Sequence, residues 1–238
     1  AVLTNANGYA DGDDEGKALQ ARLVAAAATH GVALCGPNNI GLMNVLDRTA
    51  LWTPRYMEKV NPGPIAVIAQ SGSIALILSE DERDLGFAYL ITAGNEAVTT
   101  VADYLEEVVR DARVKVVLLF LETIRQPETF FRAAAEARRR GTRIVALKLG
   151  TSPEGRRLVQ AHTGSLAGED RLYDAYFDAL GILRVRDLDE MLETAVILSR
   201  NASALPPGGP AVVTLSGGEA ALIADLGAEL GLAFEDLS

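Results

Sequence analysis

Cysteine is almost missing from this chain. Cys35 is the only one in 238 residues, which excludes an internal disulfide framework and a multi-cysteine metal site; a reducing, cytoplasmic compartment is expected. Basic charge is also short: 22 Lys and Arg stand against 32 Asp and Glu, a formal net charge of −10. That balance argues against an extended surface for nucleic acid or for a membrane, while leaving room for a local anion pocket made of backbone amides. Long apolar runs are absent too. The run from Val114 to Leu121, broken by Lys115, is too short to cross a bilayer. No basic-then-apolar signal segment opens the chain. Histidine occurs only twice, as His30 and His162.

What is present is an ordinary globular composition, 49% hydrophobic and 23% charged, in a chain long enough for a sizeable core and more than one domain. Ala1 to Asn5 reads as the tail of a buried strand, so the chain is expected to be a fragment. Leu19, Leu23, Val24 and Ala27 recur at helical spacing and predict a helix over about 15–30, capped by Asp13 or Asp14 and closed by Gly31. Val32 to Cys35 then reads as a short buried strand. These first 61 residues have the look of half a nucleotide-binding fold.

Asn61-Pro62-Gly63-Pro64 is turn-forming and marks a first boundary. Beyond it, strands are expected at 65–69, 87–91, 114–121, 143–149 and 182–185. Helices are expected at 74–79, about 101–110, 128–140 and 169–180, and a last one opens at Asp187 and Glu190 and runs to about Arg200. Apolar strands alternating with amphipathic helices predict a doubly wound parallel sheet, a flavodoxin-like α/β domain over 62–203. Ala204 to Pro210 is a second boundary. After it a strand over 211–215, the turn Ser216-Gly217-Gly218 and a helix over 219–230 repeat the 65–78 unit. Residues 204–238 are therefore expected to begin a second such domain.

Three features could carry chemistry. Gln70-Ser71-Gly72 and Ser216-Gly217-Gly218 would each aim unpaired helix amides at an anion, although serine and glycine also make ordinary tight turns. His162 sits in the glycine-lined stretch Gln160 to Gly168 beyond the strand 143–149, where ligands of open α/β sheets bind. A neutral imidazole there can act as nucleophile. His30, before Gly31, reads as a helix-end residue. Glu122 directly follows the strand 114–121 and could hold one ring nitrogen of His162. A solvated acid at a strand end is the plainer reading of Glu122, and Glu96 and Asp103 are rivals for the orienting role.

Gly36-Pro37-Asn38, Ile68-Ala69-Gln70-Ser71-Gly72, Gly94-Asn95-Glu96-Ala97, Leu119-Phe120-Leu121-Glu122 and His162-Thr163-Gly164-Ser165-Leu166-Ala167-Gly168 occur in the order seen in NDP-forming acyl-CoA synthetases. The chain resembles the α subunit of succinyl-CoA synthetase over nearly its whole length. The resemblance implies acid–thiol ligation: a small carboxylic acid and CoA are joined as ATP becomes ADP and phosphate, through an acyl phosphate and a phosphohistidine. It implies His162 as the phosphoryl carrier and Glu122 as its orienting acid. Ser71, Gly72, Gly164, Ser216, Gly217 and Gly218 would then surround phosphate, and Thr4 and Asn38 would lie near CoA. Residues 1–61 would be the later half of a Rossmann-like CoA-binding domain, with Asn39 where many relatives have cysteine. The glycine-rich first CoA turn and the Mg-binding ATP-grasp module are not in the chain, so the fragment is expected to be inactive alone and to work in an oligomer with an ATP-grasp domain or subunit. No metal site in the chain itself is implied. A non-catalytic CoA or acyl-CoA sensing module and a flavodoxin-like carrier of flavin or nucleotide are the competing readings.

Overall fold

The computed structural model describes residues 1–54, 60–80, 82–163, 170–200 and 210–234, with the backbone alone for 161–163. The chain divides into two units, Ala1–Ala202 and Ser203–Ser238.

In the first unit the elements follow in the order β1 (Val2–Leu3), α1 (Asp14–His30), β2 (Leu34–Cys35), β3 (Gly41–Asn44), β4 (Thr49–Trp52), β5 (Asn61–Ala69), α2 (Gly72–Ser79) and β6 (Gly86–Thr92). Then come α3 (Val101–Val108), β7 (Val116–Leu121), α4 (Pro127–Arg140), β8 (Arg143–Lys148), α5 (Pro153–Thr163), α6 (Asp170–Leu180), β9 (Leu183–Val185) and α7 (Leu188–Arg200). The helix signals read from the sequence hold at atomic level. The Asp13 side chain accepts from the Gly16 amide at 3.0 Å to cap α1, and Gly31 closes that helix with φ 59°, a left-handed conformation that glycine adopts without a Cβ clash.

Seven strands form one sheet in the order β4-β3-β6-β5-β7-β8-β9. From β6 to β9 all pairings are parallel. Those five strands, counted in chain order, lie 2-1-3-4-5, the flavodoxin-like arrangement. β5 and β7 sit at its centre. Ile65 to Ala69 and all six residues of β7 are buried, because a strand covered on both faces has no polar side to show water. One face packs Leu105, Leu119, Phe130 and Phe177 against α3, α4 and α6. The other packs Val67, Leu78, Leu118 and Met191 against α2 and α7. β1 and β2 form a separate parallel pair.

Three features depart from expectation. Residues 41–52, placed by the sequence in the first domain, form an antiparallel hairpin whose inner strand β3 pairs with β6 and extends the large sheet. The stretch after β8 contains the helix α5, so the backbone of His162 lies in a last helical turn rather than in an open glycine loop. The strand expected over 211–215 is not formed: among the described residues no neighbour pairs with it, and an isolated strand leaves its backbone groups to water. Val213 and Leu215 there are fully open, at 85% and 108% exposure.

Among the described residues of the second unit there is one helix, α8 (Gly217–Glu229). Among the described residues no helix is long and apolar enough to cross a membrane.

Candidate functional site

In a 2-1-3-4-5 sheet the chain winds in opposite senses from β5 and β7, and the crevice between their carboxyl ends is where such sheets take ligands. Gln70 follows β5 and Glu122 follows β7, so both stand at that switch point. They are joined. The Gln70 side-chain oxygen accepts from the backbone amides of Glu122 at 2.5 Å and Thr123 at 3.1 Å. Its amide nitrogen donates to the Thr123 carbonyl at 2.9 Å and to a Glu96 carboxylate oxygen at 2.5 Å. One buried side chain thus satisfies three backbone groups of the turn that carries Glu122. Glu122 itself is buried, at 6% exposure.

The rival acids have other employment. Glu96 is buried and takes the Val101 amide at 2.6 Å, the Gln70 amide and, at 3.3 Å, the Arg125 guanidinium. Burial pushes its carboxyl above the ordinary value, while the Val101 amide, Gln70 and Arg125 oppose that rise. Asp103 caps α3, accepting from the Thr100 amide and hydroxyl at 2.8 Å each. Glu96 therefore acts as a support for the Gln70 clamp, and Asp103 as a helix cap.

Asn38, Gly94, Asn95 and Arg125 line a small polar crevice with Gln70 and Glu122. The turns bearing Asn38 and Gly94 touch: Asn95 donates its backbone amide to the Pro37 carbonyl at 2.8 Å, and the Asn38 amide group donates to the Asn95 side chain at 3.2 Å. Gly94 is required there, because a Cβ would stand 2.2 Å from the Pro37 oxygen. Thr4 directly follows β1, its amide on the Cys35 carbonyl at 3.1 Å, and the Asn38 amide reaches the Ala6 carbonyl at 2.8 Å. The carboxyl ends of β1 and β2 thus bring Thr4 and Asn38 together. Asn39 is buried, with its amide 3.5 Å from the Cys35 sulfur.

The two serine–glycine turns differ. Ser71 is the N-cap of α2 but makes no capping hydrogen bond with its side chain, which leaves the first amides of that helix for an external acceptor. Ser216, in the second unit, caps its own helix by accepting from Glu219 at 3.3 Å. Gly217 has open space where a Cβ would be. The side chain of His162, and Gly164, lie outside what the structure describes.

Two residues of the site carried a signal that the sequence reading passed over. Gln70 stands in a quoted motif without a role. Lys148 ends β8 beside Leu121 in register, yet is only 3% exposed. A lysine buried after the apolar run Ile144 to Leu147 is the kind of buried charge that calls for a reason. Among the described residues no three acidic, histidine or cysteine side chains gather as a metal site.

The sequence profile described as succinyl-CoA ligase like flavodoxin domain matches residues 62–198. Acetate–CoA ligase (ADP-forming) I of Archaeoglobus fulgidus is 32% identical over 236 residues, covering 98% of this chain and 33% of that protein. Acetate–CoA ligase (ADP-forming) II subunit alpha of Pyrococcus furiosus is 32% identical over 221 residues, covering 92% of this chain and 47% of that protein. The solved structure of dinucleotide forming acetyl-coenzyme A synthetase 1 from Ca. Korarchaeum cryptofilum, in complex with phosphate and ADP, superposes with a TM-score of 0.86 at 25% identity over 99% of this chain and 50% of that one. The chain therefore spans half or less of the length of these relatives. With a family match over more than half its residues and the matching sheet order, it belongs to the succinyl-CoA ligase-like flavodoxin-domain family.

Proposed function

We propose that this chain is the phosphohistidine-bearing part of an NDP-forming acid–CoA ligase, an acid–thiol ligase that makes acyl-CoA from a carboxylic acid, CoA and ATP. One observation carries the reading furthest: the backbone of the turn that carries the buried Glu122 is locked by Gln70 across the switch point of a flavodoxin-like sheet. A buried acid on a turn fixed that firmly at a ligand crevice suits orientation of a reacting partner better than solvation of a strand end. Relatives named as ADP-forming acetate–CoA ligases support the reaction class.

In this proposal Glu122 holds one imidazole nitrogen of His162 as a hydrogen-bond donor, so the other nitrogen presents its lone pair. That nitrogen attacks the terminal phosphorus of ATP: the N–P bond forms as the P–O bond to ADP breaks. Glu122 stabilises the charged ring, and the open amides of α2 at Ser71-Gly72 offset the phosphoryl charge. Gly164 and the turn Ser216 to Gly218 are proposed to contribute further amides. The substrate carboxylate then takes the phosphoryl group from His162 as an acyl phosphate, and the CoA thiolate displaces phosphate. What favours CoA near Thr4 and Asn38 is their place beyond the carboxyl ends of the parallel strands β1 and β2, where such folds take ligands.

Residues 1–61 would serve as the later half of the CoA-binding domain, 62–203 as the catalytic flavodoxin-like domain and 204–238 as the start of a second. ATP, ADP and Mg would belong to an ATP-grasp domain or subunit, and the working protein would be a cytoplasmic oligomer. The test uses the complete protein with its ATP-grasp part and labelled ATP. An acid-labile adduct that disappears in His162→Ala and falls at least tenfold in Glu122→Gln is expected; an adduct that survives His162→Ala overturns the assignment.

A further inference from the structure

Lys148 is a buried ammonium that the proposed reaction does not use. Its side chain is folded over the ring of Tyr173, with the nitrogen 4.5 Å from the ring centroid. One donor goes to the neighbouring Leu149 carbonyl. An ammonium has three donors, and among the described residues no carboxylate pairs with it. The charges that reach it are Asp170 at the start of α6, Arg184 of β9 and Glu122. Asp170 is held by Arg184 at 2.6 Å, and Arg184 also binds Asp174, so Asp170 is paired with that guanidinium and reaches Lys148 only from a distance. Tyr173 keeps its proton, since burial raises its pKa. Its hydroxyl is bound to Thr123 and Ile124, which ties the Lys148–Tyr173 pair to the turn that carries Glu122.

A cation buried to this degree, with no carboxylate in direct contact among the described residues, is costly. An anionic ligand at the carboxyl edge of the sheet offsets that cost. We propose that Lys148 is an anion-binding residue that takes a phosphoryl oxygen, holding phosphate, or the phosphoryl group in transit, beside Glu122. This deepens the ligase reading and rests on it for the group in transit, but the phosphate contact stands by itself. The cation supplies what open helix amides lack, a full charge, and it is a partial clamp because the amine gives up its proton at mildly alkaline pH. Burial lowers the pKa to about 8, with the nearby Asp170 and Glu122 opposing the fall and Arg184 adding to it.

The experiment measures protection of the complete protein by inorganic phosphate, read as the apparent dissociation constant from thermal unfolding at a series of pH values. Phosphate remains a dianion and imidazole remains neutral above about pH 8, so an alkaline loss of affinity belongs to the ammonium. In the native protein affinity should fall roughly tenfold per pH unit above the midpoint. Lys148→Met should bind phosphate about tenfold or more weakly at neutral pH and show no alkaline limb, and Lys148→Arg should retain binding with the limb abolished, because guanidinium stays charged. Phosphate affinity and pH profile in Lys148→Met equal to those of the native protein overturn the proposal, as does protection by acetate in place of phosphate. Labelled ATP on the same proteins separates the two readings. Native phosphate binding through Lys148 without any adduct on His162 sinks the ligase reading alone; an adduct on His162 with phosphate binding indifferent to residue 148 sinks the lysine alone.

Discussion

At the scale of single residues, Lys148 sets stability against binding. Its folded pKa of about 8 lies below the ordinary 10.5, so between those values the unfolded chain binds more protons and stability rises with pH. Below pH 8 the native state carries the full burden of a buried charge. Lys148→Met should therefore raise the unfolding free energy at pH 7 by about 1–3 kcal/mol, since apolar replacements of buried charges are commonly neutral or stabilising. The gain should shrink on approaching pH 10. Urea titrations at the two pH values check this; a destabilised Met variant at pH 7 would mean that the lysine is held by better contacts than its one carbonyl and the Tyr173 ring.

At the scale of elements, the end of β5 and the end of β7 are held in register by Gln70. Gln70→Leu keeps the volume but removes the hydrogen bonds that Gln70 makes to the Glu122 and Thr123 amides and to the Thr123 carbonyl, and one of the three partners of the Glu96 carboxylate. Each such loss costs about 1–3 kcal/mol, so a total of roughly 3 kcal/mol or more is expected in denaturant unfolding. Phosphorylation of the complete protein should fall as well, through a misplaced Glu122. Most of these elements were legible beforehand. The parallel strands are continuous apolar runs and the helices carry caps, so β5 to β9 and α1, α3 and α4 could be read with errors of a few residues at their ends. The β3–β4 hairpin was not legible, because its four-residue strands earn their place by pairing with β6, a contact between distant segments. α5 was missed although its start is written plainly: Ser152 caps the Gly155 amide at 3.0 Å and Pro153 opens the helix. The glycines beyond His162 drew the eye to a loop. Glu122 was legible as a strand-end acid; its lock was not, since nothing local in the Gln70 motif reveals a partner some fifty residues away.

At the scale of the whole molecule, the two units have unequal means of holding themselves together. Ala1–Ala202 has an apolar layer on each face of its sheet. In Ser203–Ser238 the only buried residue of α8 is Gly227, while Leu222, Leu226 and Leu230 are 58%, 50% and 71% exposed. A body of that size has too little core to be stable alone. In the 238-residue chain, α8 amides should exchange with solvent at least tenfold faster than those of β5 and β7; mass-spectrometric exchange with equal protection in all three would show that the apolar side of α8 is covered. The Gln70 clamp has a counterpart on heating. Because the turn that carries Glu122 is fastened to the two central strands, it has no low-temperature route to loosening by itself. In the complete protein, loss of the proposed phosphoryl transfer on heating should track the melting of this sheet, so that the inactivation curve and the unfolding curve coincide: the site would serve as a thermometer of its own scaffold.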